Sequence, residues 1–221
     1  KASMHIAMYR HETFKDFDKS AYADGSYFDK YVNQDWGPTT AKVQELFANL
    51  PVPTMDDWKE LREQVMKNGL YNAYRHAVAP TGSISYVNNT TASLLPIVNK
   101  IEERQEGMIG KVYYPAPGLS NETLPYYVSA YDTNMKKVID IYAAAQPHVD
   151  QGMSLTFFMR STIPDGLYDW KNGRTEKMTT RDLSKLRNYA FKQGIKSLYY
   201  VRTYTDDNQE AGINECESCS I

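Results

Sequence analysis

The chain has 221 residues, 42% of them hydrophobic and 24% charged, with a formal net charge of −2. That is enough apolar chain for a buried core in one domain or two closely packed ones. The near-neutral balance gives no basic face for a phosphate backbone, no run approaches the ~18 consecutive apolar residues of a membrane span, and no N-terminal stretch has a signal peptide's pattern. The expected setting is therefore the cytoplasm, with no nucleic-acid and no membrane partner.

In chain order, "KASMHIAMYRHETF" opens the sequence in a helix-like pattern. "TTAKVQELFANL" and "TMDDWKELREQVMKNGLYNAYRHAV" follow as amphipathic helices, separated by a break at Pro51 and Pro53. Thr54 before Met55, Asp56 and Asp57 is an N-cap with acids in the first turn, where they meet the positive end of the helix dipole. The periodicity from Glu122 to Ala145 predicts one or two more helices. "TTRDLSKLRNYAFKQG" predicts another, with Leu183, Leu186 and Ala190 on one stripe and Gly194 as its stop. "MSLTFFM" and "IKSLYYVRTY" are short apolar or aromatic runs that read as strands, so the rhythm is that of an α/β domain. Residues 160–178, between the first of these and the last helix, are rich in turn formers and read as an exposed insertion.

Three stretches raise chemical questions. "APTGSISYVNNTT" brings a Pro, a Gly and the hydroxyls of Thr81, Ser83 and Ser85 together. Backbone N–H groups and hydroxyls of this kind hold a phosphate when a helix begins there, yet the P-loop lysine is missing and composition favours an ordinary turn. "KSLYYVR" contains Tyr199 and Tyr200, a pair that could relay an electron, but among 18 tyrosines there are also the doublets Tyr113-Tyr114 and Tyr126-Tyr127. Successive residues of a regular strand point to opposite faces, so a Tyr199–Tyr200 pathway demands a bulge or a strand end.

The third stretch is the last seventeen residues, "TDDNQEAGINECESCSI", with five acids, no basic side chain and the only two cysteines, Cys216 and Cys219. It reads as a disordered acidic tail. The C-x-x-C pair is open to four readings: idle exposed thiols, half of a zinc site, a small structural disulfide, or a dithiol for exchange chemistry, in which one sulfur attacks a disulfide and the other resolves the mixed intermediate.

The order of these features resembles a known family. "AVAPTGSISYVNNTTASLLPIVNKIEERQEGMIGKVYYPAP", then "HVDQGMSL", then "KQGIKSLYYVR", then a terminal C-x-x-C, is similar from about Ser20 to Ile221 to the C-terminal third of the large, catalytic subunit of class I ribonucleotide reductase, most of all class Ib. The segment from Met159 to Met178 is longer than the family pattern. The resemblance implies that residues 1–204 are the C-terminal portion of a ten-stranded α/β barrel and 205–221 a flexible redox tail. It implies reduction of ribonucleoside diphosphates to deoxyribonucleoside diphosphates by radical chemistry, for DNA synthesis.

On this resemblance Pro80, Thr81, Gly82, Ser83 and Ile84 hold the substrate's diphosphate. Tyr199 and Tyr200 carry the radical, and Cys216 and Cys219 exchange with a thioredoxin- or glutaredoxin-like reductant. The chain itself binds no metal or cofactor; the metal-radical cofactor belongs to the small subunit. The family's radical-bearing cysteine, its two oxidisable active-site cysteines and its allosteric sites lie upstream of the matching region, and this sequence holds no third cysteine. The expectation is a fragment, or one polypeptide of a split large subunit, inactive without its N-terminal partner. The competing expectations are a non-enzymatic redox adaptor that docks a thioredoxin-like protein through its C-x-x-C, and a purely structural interaction module.

Overall fold

The computed structural model describes residues 1–34, 37–107, 110–171 and 176–205. The expected acidic tail, with Cys216 and Cys219, lies outside the described residues from position 206 on. The chain divides into two compact units, Lys1–Arg75 and His76–Ile221.

The first unit is helical: α1 (Ala2–Arg10), α2 (Asp29–Val32), α3 (Ala41–Phe47) and α4 (Met55–Asn68). Its core is Met4, Tyr22, Phe28, Val65 and Leu70, flanked by a stacked Tyr31–Trp58 pair at 4.2 Å. The N-cap read at Thr54 is a full capping box. Thr54 Oγ1 accepts from Asp57 N–H, and Asp57 Oδ2 accepts from Thr54 N–H at 2.8 Å. The same helix stops ten residues short of the predicted end. Gly69 adopts φ 74°, and a Cβ there would stand 2.3 Å from Thr13 Cγ2, so only glycine fits and the helix ends on it.

The second unit is α/β. Its elements are α5 (Gly82–Val87), β1 (Ile101–Glu106), β2 (Gly110–Pro115), α6 (Met135–Ala145), β3 (Thr156–Arg160), β4 (Thr162–Ile163), β5 (Glu176–Lys177), α7 (Thr180–Lys192) and β6 (Tyr200–Tyr204). β3 and β6 pair in parallel with α7 between them in the chain, Thr156 opposite Tyr200, which is the predicted αβ rhythm. One parallel bridge, Val78 to Met153, extends the pattern on the N-terminal side. β1 and β2 form an antiparallel hairpin that periodicity did not announce.

The core of this unit is built from α6, β3 and α7. Met135, Val138, Ile139 and Tyr142 recur at helical spacing on α6 and are buried. β3 is a continuous buried run through Phe157, Phe158 and Met159, as parallel strands covered on both faces are. From α7, Leu186 and Ala190 join this core as the stripe predicted, with Leu183 partly buried beside them. Gly194, at φ 79°, follows the helix end.

Residues 160–178 differ from the expected exposed insertion. Ile163 and Tyr168 are buried, and β4 and β5 form a short hairpin. The segment is tied to α7 through Asp182, the N3 residue of a second capping box with Thr179. Asp182 also accepts from Trp170 Nε1–H at 3.0 Å and pairs with Lys171 Nζ at 2.9 Å. Turn residues set the backbone path, but apolar side chains between them were free to pack inward.

Burial alone would raise the Asp182 carboxyl, but hydrogen bonds from Thr179, Lys171 and Trp170 outweigh it and hold the group at about 2. A carboxyl depressed in the folded state stabilises above its unfolded pKa of about 4, and that stability is lost as pH falls through the folded value. Asp182→Asn is expected to cost about 2 kcal/mol in urea unfolding at neutral pH, with the deficit shrinking between about pH 4 and about pH 2. A deficit that is constant over that window would show that the ionised carboxylate is not what ties the segment to α7.

Candidate active site

The site begins in the core of the second unit. Tyr142 on α6 is fully buried, yet its hydroxyl makes three contacts: it donates to Ser154 O at 3.0 Å, meets Ser93 Oγ at 2.9 Å, and accepts from Leu94 N–H at 3.3 Å. Ser93 N–H in turn donates to Thr81 Oγ1 at 2.9 Å. This chain of hydrogen bonds fixes the segment that the sequence singled out. Three non-glycine residues in or just after it, Thr81, Asn89 and Ser93, are held at φ 47°, 49° and 53°. A β-branched residue in that region is strained, a condition that persists only where the surroundings enforce it.

The enforced turn at Thr81 launches α5. The first N–H groups of the helix, on Gly82, Ser83 and Ile84, have no acceptor within it. Ser85 bends back, its Oγ donating to Gly82 O at 2.7 Å. A Cβ on Gly82 would meet nothing within 4 Å, so the fold itself does not demand glycine there.

Pro80, Gly82 and Ser83 line a cavity of about 420 Å³, a size that admits a small organic ligand. Thr81 is turned to Ser93 and Ile84 is exposed; neither lines the cavity. The floor comes from Ser154, Thr156 and Phe158 on or beside β3, and a further wall from Tyr199, Tyr200 and Arg202. Thus the loop and the tyrosine pair, more than a hundred residues apart in sequence, face one space.

The pair has the geometry that strand alternation required. Tyr199 lies just before β6 and donates its N–H to Leu155 O at 2.8 Å, while Tyr200 opens the strand. Their ring centroids are 4.0 Å apart at 49°. The other doublets differ: Tyr126 is among the most exposed residues, and Tyr113 and Tyr114 alternate across β2 so that Tyr114 alone reaches the cavity.

Sequence reading missed the opposite wall, which is the β1–β2 hairpin. Glu102 and Arg104 project from the same face of β1, two residues apart. Tyr86 Oη on α5 donates to Glu102 Oε2 at 2.5 Å, and the Tyr86 ring packs on Tyr114 at 4.6 Å. Burial, then the neighbouring carboxylate, pushes the Tyr86 phenol well above its ordinary range. The available signal was the pair of glycines at 107 and 110 just ahead of the β-prone "KVYYP". Among the described residues no cluster of three or more His, Cys, Asp or Glu is placed to hold a metal, and no helix is long and apolar enough to cross a membrane.

The chain is similar to known proteins of one family. The sequence model of the ribonucleotide reductase barrel domain matches residues 1–201. The chain is 47% identical over 219 residues to the ribonucleoside-diphosphate reductase NrdEB subunit alpha of Bacillus subtilis (strain 168), across 99% of this chain and 18% of that protein. It is 43% identical to the ribonucleoside-diphosphate reductase subunit alpha of Mycoplasma pneumoniae, across 100% of this chain and 30% of that protein. A more distant relative of the same name in Helicobacter pylori is 34% identical over 212 residues. The chain therefore spans less than a third of the length of these relatives.

Tyr142→Phe keeps the ring and its packing while removing the hydroxyl that anchors the cavity wall. The expected cost is about 1–3 kcal/mol, the penalty for buried groups left without a partner, with faster amide hydrogen exchange at Leu94. Wild-type stability and exchange in this variant would mean that the loop is held by other contacts.

Proposed function

Because the chain belongs to the ribonucleotide reductase barrel-domain family, we propose that it is the C-terminal part of the large subunit of a class I ribonucleoside-diphosphate reductase. Residues 1–204 complete a ten-stranded α/β barrel whose remaining strands come from the N-terminal part of the subunit, and 205–221 form a redox tail. One observation carries this reading: Pro80, Gly82 and Ser83 of the loop and the tyrosines at 199 and 200 line one cavity. An anion cradle and a pair of oxidisable phenols in contact are the two things that a radical reduction of a nucleoside diphosphate needs from this portion of the subunit.

In this reading the free N–H groups of α5 and the Ser83 hydroxyl hold the diphosphate. Thr81 acts through Ser93, setting the turn rather than reaching the ligand. Gly82, whose missing side chain the fold does not require, leaves room for the close approach of phosphate oxygens. Tyr200 and Tyr199 pass oxidation inward from the small subunit, each phenol losing an electron and a proton and regaining both. The small subunit supplies the metal-radical cofactor, and the N-terminal part supplies the cysteine that attacks the ribose and the two thiols that become a disulfide as the 2′-hydroxyl leaves as water.

Cys216 and Cys219, outside the described residues, re-reduce that disulfide by thiol–disulfide exchange and are restored by a thioredoxin- or glutaredoxin-like reductant. The cytoplasm, where thiols stay reduced, suits this cycle.

Mixing the chain with the N-terminal polypeptide and the small subunit is expected to yield ribonucleoside-diphosphate reduction, and the chain with the small subunit alone to yield none. Turnover without any other large-subunit polypeptide would overturn the assignment. In the assembled enzyme, Tyr199→Phe or Tyr200→Phe is expected to abolish turnover with little loss of stability, since only the phenolic O–H is removed, whereas Tyr126→Phe at the surface is tolerated. Near-normal turnover in either of the first two variants would exclude the relay.

The tail gives a separate measurement. Cys216→Ser and Cys219→Ser are expected to stop multiple turnover driven by a thioredoxin-like protein but to leave the first product burst of pre-reduced enzyme intact, with dithiothreitol restoring part of the later turnover. Equal loss of the burst and of later rounds would place these thiols in the reduction itself.

A further inference from the structure

The phosphate loop contains no lysine, and its own sequence offers only hydroxyls and backbone N–H groups. A diphosphate brings a charge of about −3 into the cavity, and neutral donors stabilise such an anion less well than a guanidinium does. The cavity lining holds two guanidiniums, Arg104 and Arg202, and one carboxylate, Glu102.

Their placements differ. Arg202 belongs to β6 beside the tyrosine pair and lies near Tyr131. Arg104 comes from the hairpin and sits over the ring of Tyr86, 4.1 Å from its centroid. Tyr86 stands on α5 itself, one turn after Gly82 and Ser83, and helical side chains lean back toward the N-terminus.

The Tyr86 ring is held on two sides, by its hydroxyl's bond to Glu102 and by Tyr114. It is thus a fixed platform for the Arg104 guanidinium in the cavity that Gly82 and Ser83 of α5 also line. Among the described residues Glu102, on the same face of β1, is engaged by Tyr86. Arg104 also donates to the Tyr86 hydroxyl, and a guanidinium with five N–H donors has others to offer another acceptor.

We propose that Arg104, presented on the Tyr86 ring, is the charged contact for the substrate's diphosphate, taking from the β1–β2 hairpin the part that a lysine plays in a phosphate loop. This rests on the reading of the cavity as a nucleoside-diphosphate site. Arg104 then acts in binding and in choice of substrate, favouring nucleotides with two phosphates over those with fewer, and takes no part in moving the radical.

In the assembled reductase, Arg104→Gln is expected to raise KM for ribonucleoside diphosphates roughly tenfold or more, the loss of a hydrogen bond to a charged group, with the loss in KM rather than kcat. Competitive inhibition by inorganic diphosphate should weaken by the same factor, inhibition by unphosphorylated nucleoside should stay at its wild-type value, and Arg104→Lys should recover part of the affinity. Ser83→Ala separates the two levels of inference. If Ser83→Ala weakens diphosphate inhibition and Arg104→Gln does not, the role given to Arg104 is overturned while the phosphate site stands. If neither variant changes it, the phosphate reading of the cavity fails and the proposal with it. If Arg104→Gln weakens nucleoside and diphosphate inhibition equally, the arginine shapes the cavity without meeting phosphate, and the proposal is likewise overturned.

Discussion

The hydroxyl of Tyr142 is the point from which the cavity is held. A phenol has one proton to give and two lone pairs, and in the core of the second unit all three are used: Ser154 O takes the proton, while Ser93 Oγ and Leu94 N–H fill the lone pairs. α6 and β3 are both packed core elements, so the loop residues bound to this hydroxyl take their position from the buried core of the unit. Ser93 passes that position to Thr81. Without such an anchor, the positive φ angles at Thr81, Asn89 and Ser93 would relax and the start of α5 would have no fixed direction.

A fixed α5 has a second consequence, because Tyr86 is carried with it. Its ring closes against Tyr114 and its hydroxyl against Glu102, so the hairpin is docked to the same helix that opens the loop. Backbone donors, hydroxyls and a guanidinium therefore converge from α5, the loop after it and β1, and no one of these elements could form the site alone. The tyrosine pair enters from the other side, on a strand whose register with β3 is set by five consecutive residue pairs. The polar loop and the phenols keep separate supports, so a change in either one need not displace the other.

What was legible in the sequence followed from how local each signal is. Thr54 and Thr179 cap their helices through residues three positions on, and the α6 and α7 stripes repeat within a turn, so both kinds of feature could be read directly. The end of α4 at Gly69 depended on Thr13, far away in sequence, and was overrun. "IEERQE" lacks apolar alternation, because the face that reaches the cavity carries Glu102 and Arg104; a strand built to line a polar site hides itself from a hydrophobicity pattern. The turn-rich segment 160–178 concealed buried Ile163 and Tyr168 for a related reason, since composition averages over the few side chains that pack. The path of "PTGSI" could not be read locally at all, because its anchor is on α6.

The strand that bears the tyrosines also differs from its partner in a way that local sequence cannot explain. β3 is buried along nearly its whole length, whereas Tyr199, Tyr200 and Val201 are 46%, 38% and 38% exposed. Parallel strands are ordinarily covered on both faces, and an open apolar strand is costly in water. Among the described residues β6 pairs on one side only, with β3. On the proposed reading both facts have one cause: the remaining strands of the barrel come from the rest of the subunit, and the tyrosines face where the reacting cysteine must be brought. Completing the sheet and completing the active site are then the same event, so phenols that would be a liability in an isolated strand are left open for the partner that the chemistry requires.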